Sequence, residues 1–397
     1  MATAPSAPAQ PRPAERVRIA LCQIDVGADK SLNVERARAS VRAAAAAAAA
    51  VPGKDGKDGE GGANGNLIVV LPEMWNCPYS NDSFGPYSEP VPPVGTRAED
   101  VDARVSPSVA MMAREAAALG VVLVGGSVPE RYGRAPAASS LLGGGGGGSG
   151  GGGPIDDPDK AAAAATATAT AIAAATAAAT ASAAAASASQ GQAGDRLYNT
   201  CCVFERDGTL VAKHRKLHLF DVDIPGKLAF RESDTLTAGE TATLVDLACG
   251  VRLGVGICYD LRFPELALLY ARAGAHLLVY PGAFNTVTGP LHWELLARAR
   301  AVDAQCFVAV CSPARARGEG GYQAWGRSCV VGPFAEVLAT AEAPGDAPCT
   351  VVAEMDVGEV AERRRNLPLW AQRRGDLYAL ADLKGVGAGV GLAAAAE

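Results

Sequence analysis

Apolar, β-branched runs alternate with amphipathic Ala/Arg/Leu segments along most of the chain. VRIALCQI (17–24) precedes an amphipathic segment that starts near Ser31; NLIVVLPE (66–73), a helical pattern over 105–119 and VVLVGGSVPE (121–130) follow. Short continuous apolar runs read as buried strands and the 3.6-residue pattern as helices, so the order is βαβα. The rhythm resumes with LYNTCCVFE, a turn at Asp207-Gly208, TLVAKHRK, VRLGVGICYD, a helix over 264–273, HLLVYPGAF, a helix over 291–303 and CFVAVCSPA. The runs on either side of Asp207-Gly208 predict a hairpin. The whole predicts an α/β fold, a largely buried sheet with helices outside and antiparallel additions.

Two stretches break the pattern. Residues 133–194 run through LLGGGGGGSGGGGP into a long Ala/Thr/Ser tract, too poor in large apolar groups to offset chain entropy. They read as a disordered insertion, with a flexible Gly-rich half and an Ala-rich half that flickers into helix. A shorter insertion at about 43–66 passes from poly-Ala into GKDGKDGEGGANGN, a helix ending in a loose loop. With a flexible start (1–16) and tail (384–397), one domain is expected over 17–383.

Composition narrows the class. The net charge of −6 gives no attraction to nucleic acid or an anionic membrane. Residues 161–189 are long enough to span a bilayer, but they are Ala, Thr and Ser with a single Ile, so no membrane helix is expected. Ten cysteines without a CxxC pair suit a reducing compartment, and the start lacks a secretory apolar run. The cytoplasm is the expectation. A plastid or mitochondrion is the alternative, because the start is acid-poor and contains Ala, Ser and Arg.

Three segments can carry chemistry. In LPEMW, Glu73 follows a buried strand at its carboxyl end, where α/β folds place their sites; burial would raise its pKa toward that of a general base, and a solvated loop acid is the plainer reading. KHRKLHLFD (213–221) places His214 and His218 at metal-pair spacing, but Arg215 and Lys216 would repel a cation, so no metal is expected. A solvated basic face, or a lysine aimed into a cleft as an oxyanion partner, both fit. VRLGVGICYDLRFPE (251–265) delivers Cys258 to a strand-to-helix turn, as in a nucleophile elbow; a buried strand-end cysteine fits that segment equally. Together Cys, Glu and Lys supply a nucleophile, a base and an oxyanion partner.

The chain resembles the nitrilase (carbon–nitrogen hydrolase) superfamily, in its omega-amidase branch, through LPEMWNCPYSNDSF, DRLYNTCCVFERDG, AKHRKLHLFDVDIPGKLAFRESDTLTAGE, GVGICYDLRFPELA, YPGAFNTVTGPLHWELLARARAVDAQCFVA and YQAWGRSCVVGPFAEVLA. The resemblance implies a four-layer α-β-β-α sandwich, at least a homodimer, with no metal or organic cofactor. It implies a triad of Glu73, Lys216 and Cys258, with Glu232 of ESDTL as a supporting carboxylate and the Tyr259 backbone N–H as a second oxyanion donor. It further implies hydrolysis of small amides, 2-oxoglutaramate and 2-oxosuccinamate, through a Cys258 thioester. Tyr79, Arg262, Phe284 and Asn285 are the candidates for binding substrate; pairing of Arg262 with Glu265 or another carboxylate, and simple packing of Tyr79, are the competing roles. Arg327 departs from the pattern, since relatives often carry His there. A deaminated-glutathione amidase or N-carbamoyl amidase would keep the triad and change the acyl pocket; a catalytically silent interaction protein would not need the triad. Deleting about residues 137–192 is expected to leave amide hydrolysis intact; loss of activity in a folded product would give the insertion a working role.

Overall fold

The computed structural model describes residues 16–50, 66–133, 195–226, 228–315, 322–342 and 347–388. Most of the two low-complexity insertions and the flexible start lie outside them. The first half contributes β1 (Arg16–Gln23), α1 (Lys30–Ala50), β2 (Leu67–Val70), α2 (Asn81–Tyr87), α3 (Pro107–Leu119), β3 (Val122–Val124), β4 (Val128–Tyr132), β5 (Arg196–Phe204) and β6 (Leu210–Arg215). A hairpin of β7 (Asp221–Ile224) and β8 (Leu228–Arg231) follows. The second half contributes β9 (Thr243–Asp246), β10 (Arg252–Val255), α4 (Pro264–Arg272), β11 (Leu277–Pro281), α5 (Gly289–Ala304), β12 (Phe307–Cys311), β13 (Cys329–Val331), β14 (Val337–Thr340), β15 (Cys349–Asp356), α6 (Gly358–Asn366) and β16 (Gly387–Ala388). All belong to one of the chain's two units, Met1–Tyr132 with Arg196–Glu397; the other, Gly133–Asp195, is described only at its ends.

Each half builds a sheet around three parallel strands, β1–β2–β3 in one and β10–β11–β12 in the other. The first sheet runs β15-β1-β2-β3-β5-β4 with β6 on the free side of β5, and the second runs β14-β13-β12-β11-β10-β9-β16. Strand alternation sorts the side chains. Val17, Ile19 and Leu21 of β1 and Ile68 and Val70 of β2 enter a core with the second sheet, while Ala20, Cys22, Leu67 and Val69 enter a separate core with α1 and α3. On the far side of the second sheet, Leu266 and Tyr270 of α4 and Trp293, Ala297 and Ala301 of α5 close the core. The layers are therefore α-β-β-α, as the resemblance implied.

The helix boundaries follow local signals. α3 has proline in its first turn and ends on Gly120 at φ 64°, and α4 also starts with proline. The shorter insertion starts later than the composition suggests. α1 continues through the poly-Ala to Ala50 with Ala44, Ala45 and Ala48 buried, because small side chains let the helix lie close on the sheet. Arg18 donates to the Ala48 carbonyl at 2.9 Å, satisfying an acceptor in its last turn. The tail read from residue 384 also needs correction at its start: Gly387 and Ala388 pair parallel with β9, since that edge offers free backbone groups. At the other break the chain leaves and re-enters through a ladder, with β4 and β5 antiparallel up to Tyr132↔Arg196.

One glycine bears on the turn after β2. Gly126 has φ 61°, and a Cβ there would lie 2.1 Å from the Pro72 carbonyl oxygen, next to Glu73. Gly126→Ala is expected to destabilise the fold by about 2 kcal/mol or more, read as a lowered Tm; an unchanged Tm would show that this turn yields freely.

Candidate active site

Glu73 lies three residues beyond β2, in a turn fixed from the β3–β4 connection. Ser127 N–H donates to the Pro72 carbonyl at 3.0 Å, Met74 N–H donates to Ser127 Oγ at 3.0 Å, and Trp75 Nε1 donates to the Gly125 carbonyl at 2.8 Å. The carboxylate is 1% exposed and fully engaged. Its Oε1 accepts from Lys216 Nζ and Asn199 Nδ2, each at 2.9 Å, and its Oε2 accepts from the Ala283 N–H at 2.9 Å.

Lys216 follows β6, where alternation divides the basic motif into two faces. Arg215 forms a two-pronged pair with Glu130 at 2.8 Å and 2.8 Å, and Lys213 approaches the same carboxylate at 3.6 Å. His214 and Lys216 point the other way and are 0% exposed, so the segment is not a solvated basic face. Lys216 Nζ lies 2.9 Å from Glu73 Oε1 and 2.9 Å from Glu232 Oε2. Glu232, just after β8, also accepts from the Phe220 N–H at 2.7 Å. Asn199 on β5 reaches both carboxylates, at 2.9 Å and 3.4 Å; it faces the Lys216 strand because β5 and β6 pair Thr200↔Arg215. The sequence alone gave no sign of Asn199, whose role depends on a long-range register.

Cys258 opens a short 3-10 turn, Cys258–Arg262, between β10 and α4, with Tyr259 next in it. Its φ of 46° is the strained, side-chain-presenting geometry of an elbow. Its thiol lies beside the Glu73 carboxylate, close enough for each group to shift the other's protonation. Gly282 packs closely beside it: a Cβ there would lie 3.1 Å from Cys258 Cα and 3.0 Å from Trp293, so either neighbour would have to shift by a few tenths of an ångström.

Burial, and then the negative charge of Glu73, push the Cys258 thiol well above its usual range, so it rests protonated. Burial also raises Glu73; Lys216 opposes this and Glu232 adds to it, and the net shift is upward. For Lys216 burial acts downward, but Glu232 and Glu73 outweigh it and hold the ammonium well above its ordinary value. One ammonium between two carboxylates leaves a surplus negative charge among fully buried groups. Burial is the main source of Glu73's affinity for a proton, with Glu232 adding to it.

A narrow pocket opens on Cys258 and is walled by Tyr79, Phe220, Tyr259, Arg262, Phe284 and Asn285, among others. Tyr79 has more than a packing role: its hydroxyl donates to Glu232 at 3.1 Å and accepts from Lys216 at 3.5 Å, while its ring packs at a tilt against Tyr322, centroids 4.7 Å apart. Arg262 does not pair with Glu265; among the described residues no carboxylate partners it, and it contacts His292 Nδ1 at 3.1 Å over the Phe284 ring at 4.5 Å. Asn285 Oδ1 accepts from Val287 N and Thr288 N, which leaves its buried Nδ2 without a partner. Arg327 lies away from this pocket, donating to the Ala341 carbonyl at 2.8 Å. His214 and His218 converge on the Asp260 carboxylate, and among the described residues no cluster of His, Cys, Asp and Glu could hold a metal.

Residues 144–365 match the family model described as carbon-nitrogen hydrolase. The chain is 44% identical to the chloroplastic omega-amidase of Arabidopsis thaliana, over 96% of this chain and 79% of that protein. It is 38% identical to omega-amidase NIT2 of Homo sapiens, over 91% of this chain and 97% of that protein. Among solved structures, Saccharomyces cerevisiae Nit3, a member of branch 10 of the nitrilase superfamily, aligns with a TM-score of 0.62 and 34% identity over 91% of this chain and 98% of that one.

Proposed function

We propose that this chain, which belongs to the carbon–nitrogen hydrolase family and hydrolyses carbon–nitrogen bonds in amides, works as an omega-amidase through a thioester on Cys258. The observation that carries the reading is the buried ammonium of Lys216, held between Glu73 and Glu232 beside the Cys258 pocket. A resting thiol needs a base, and Glu73 is the carboxylate beside it.

Glu73 takes the thiol proton as Cys258 sulfur bonds to the amide carbonyl carbon. Lys216 and the Tyr259 N–H stabilise the oxyanion. Glu73 returns the proton to the departing nitrogen, ammonia leaves and a thioester remains. Water then loses a proton to Glu73 and attacks the thioester; the acid departs and the thiol recovers its proton. Glu232 and Asn199 keep Lys216 and Glu73 aligned through both halves of the cycle.

The substrates in this reading are 2-oxoglutaramate and 2-oxosuccinamate. Support comes from the pocket: it is short, aromatic-walled, and carries a guanidinium without a carboxylate partner among the described residues and an unpartnered amide N–H, suited to the remote carboxylate of such a monoamide. Tyr79 and Phe284 confine the chain between them. The assembly in this reading is a homodimer and the compartment the cytoplasm, with the plastid as the alternative that the name of the Arabidopsis relative favours. Among the described residues no helix is long and apolar enough to cross a membrane.

Ammonia release from 2-oxoglutaramate should be efficient, vanish in Cys258→Ala, and show a KM raised about tenfold or more in Arg262→Ala, the loss of a charge-assisted hydrogen bond. Turnover of deaminated glutathione in place of 2-oxoglutaramate would reject the substrate and keep the triad. Since Glu73 must be ionised and its pKa is raised, kcat/KM should fall with decreasing pH at values above the ordinary carboxylate pKa of about 4.3. An acid limb at or below that value would remove Glu73 from the role of base.

A further inference from the structure

Lys216 and Cys258 come from different sheets, and the face between those sheets is mostly apolar. Apolar packing is non-directional and does not by itself fix the offset of a nucleophile from its oxyanion partner. Between the two segments lies a carboxylate that the proposed mechanism leaves unused. Asp260 is 0% exposed, two residues after Cys258.

Its two oxygens gather donors from both segments. Oδ2 accepts from the Ile257 N–H at 2.9 Å, immediately before Cys258, from His214 Nε2 at 3.2 Å and from the Leu217 N–H at 3.5 Å. Oδ1 accepts from the His218 N–H at 2.9 Å and from His218 Nδ1 at 2.7 Å. Residues 214, 217 and 218 bracket Lys216. His214 is fixed in turn by Thr243 Oγ1 at 3.1 Å, and His218 by stacking on Phe263 at 3.6 Å.

We infer that Asp260 is a positioning residue: its carboxylate ties the backbone around Lys216 to the backbone around Cys258 and so sets the geometry of oxyanion and nucleophile. This rests on the reading of Cys258 as nucleophile and Lys216 as oxyanion partner. The spacing of His214 and His218, which resembles a metal pair, is then accounted for as two imidazoles converging on one carboxylate. Burial acts against ionisation of Asp260, but the hydrogen bonds from His214 and His218 prevail and hold its carboxyl well below the usual range. Every one of the five donors therefore meets a charged acceptor.

Asp260→Asn keeps the shape but turns one acceptor into a donor, which then opposes N–H groups. Two measurements test the role: kcat and KM for 2-oxoglutaramate, and the rate at which iodoacetamide alkylates Cys258, followed on its peptide by mass spectrometry. The second depends on the nucleophile but not on which amide is the substrate. In folded Asp260→Asn, kcat should fall about 30-fold or more with KM within about threefold, and alkylation should slow in parallel, as expected for sub-ångström misplacement. His218→Leu, which keeps the backbone contact and removes the ring, should give a smaller fall in kcat of about threefold, and it tests the clamp if Asp260→Asn does not fold. Unchanged kcat and alkylation in both variants, or an effect confined to KM, overturns the inference. A parent enzyme whose Cys258 is alkylated no faster than half-exposed Cys349 overturns the nucleophile reading and the clamp with it. A parent with fast Cys258 alkylation but no turnover of 2-oxoglutaramate overturns only the substrate, and the alkylation rates of the variants still decide the clamp.

Discussion

A lysine ammonium sealed from water between two carboxylates is the constraint on which the site depends. An isolated charge at that depth would be prohibitively unfavourable, and Lys216 remains charged because Glu73 and Glu232 lie against it. Losing Lys216 would leave two carboxylates buried without a counter-charge, a loss of about 3–5 kcal/mol in comparable sites. This ties the turn after β2, the end of β6 and the turn after β8 into one unit. It also bears on the proposed chemistry, because burial and then the charge of Glu232 raise the affinity of Glu73 for a proton, and the Cys258 thiol lies beside it.

The site is thus divided between the two sheets and a hairpin. Glu73 and Lys216 follow strands of the first sheet, Glu232 follows the separate β7–β8 hairpin and Cys258 follows a strand of the second sheet, so the proposed base, oxyanion partner, supporting carboxylate and nucleophile converge from three places. Apolar packing brings the sheets together; polar contacts at the carboxyl ends of β2, β6 and β10 decide their offset. Ala283, just past β11, contributes to the same end: its N–H donates to Glu73. The left-handed backbone at Cys258 and the glycine packed against it are the local strain accepted to present the thiol there.

Much of this was legible in the chain. Apolar runs marked β1, β2, β10, β11 and β12, and the helical patterns at 105–119, 264–273 and 291–303 fell within about two residues of α3, α4 and α5. Glu73 and Cys258 were readable because each ends a buried strand. Lys216 was told from its basic neighbours only by the family resemblance, and β6 supplies the physical reason by fixing which face each occupies. Asn199, Ala283 and Tyr322 gave no signal, since they matter through register and loop approach. The hairpin β7–β8 and strands β13 to β15 were missed because their alternation is short or partly exposed; β15 is placed by an eight-residue ladder with β1. The poly-Ala was read as a helix ending in a loose loop, and its eight alanines do complete α1, although the insertion was started at its first residue.

The ladder that joins β4 to β5 has a further meaning. Tyr132 and Arg196 are held opposite one another by backbone hydrogen bonds, whatever connects them. Because the ends are already fixed, lengthening the connection adds only about 0.6 kcal/mol of closure entropy per doubling. Connection length at this point is therefore nearly decoupled from the catalytic frame. The ladder acts as a socket of constant width, and a segment of unrelated composition, or a separately folded module, can be fitted to it without disturbing Asn199, which lies only three residues further along β5.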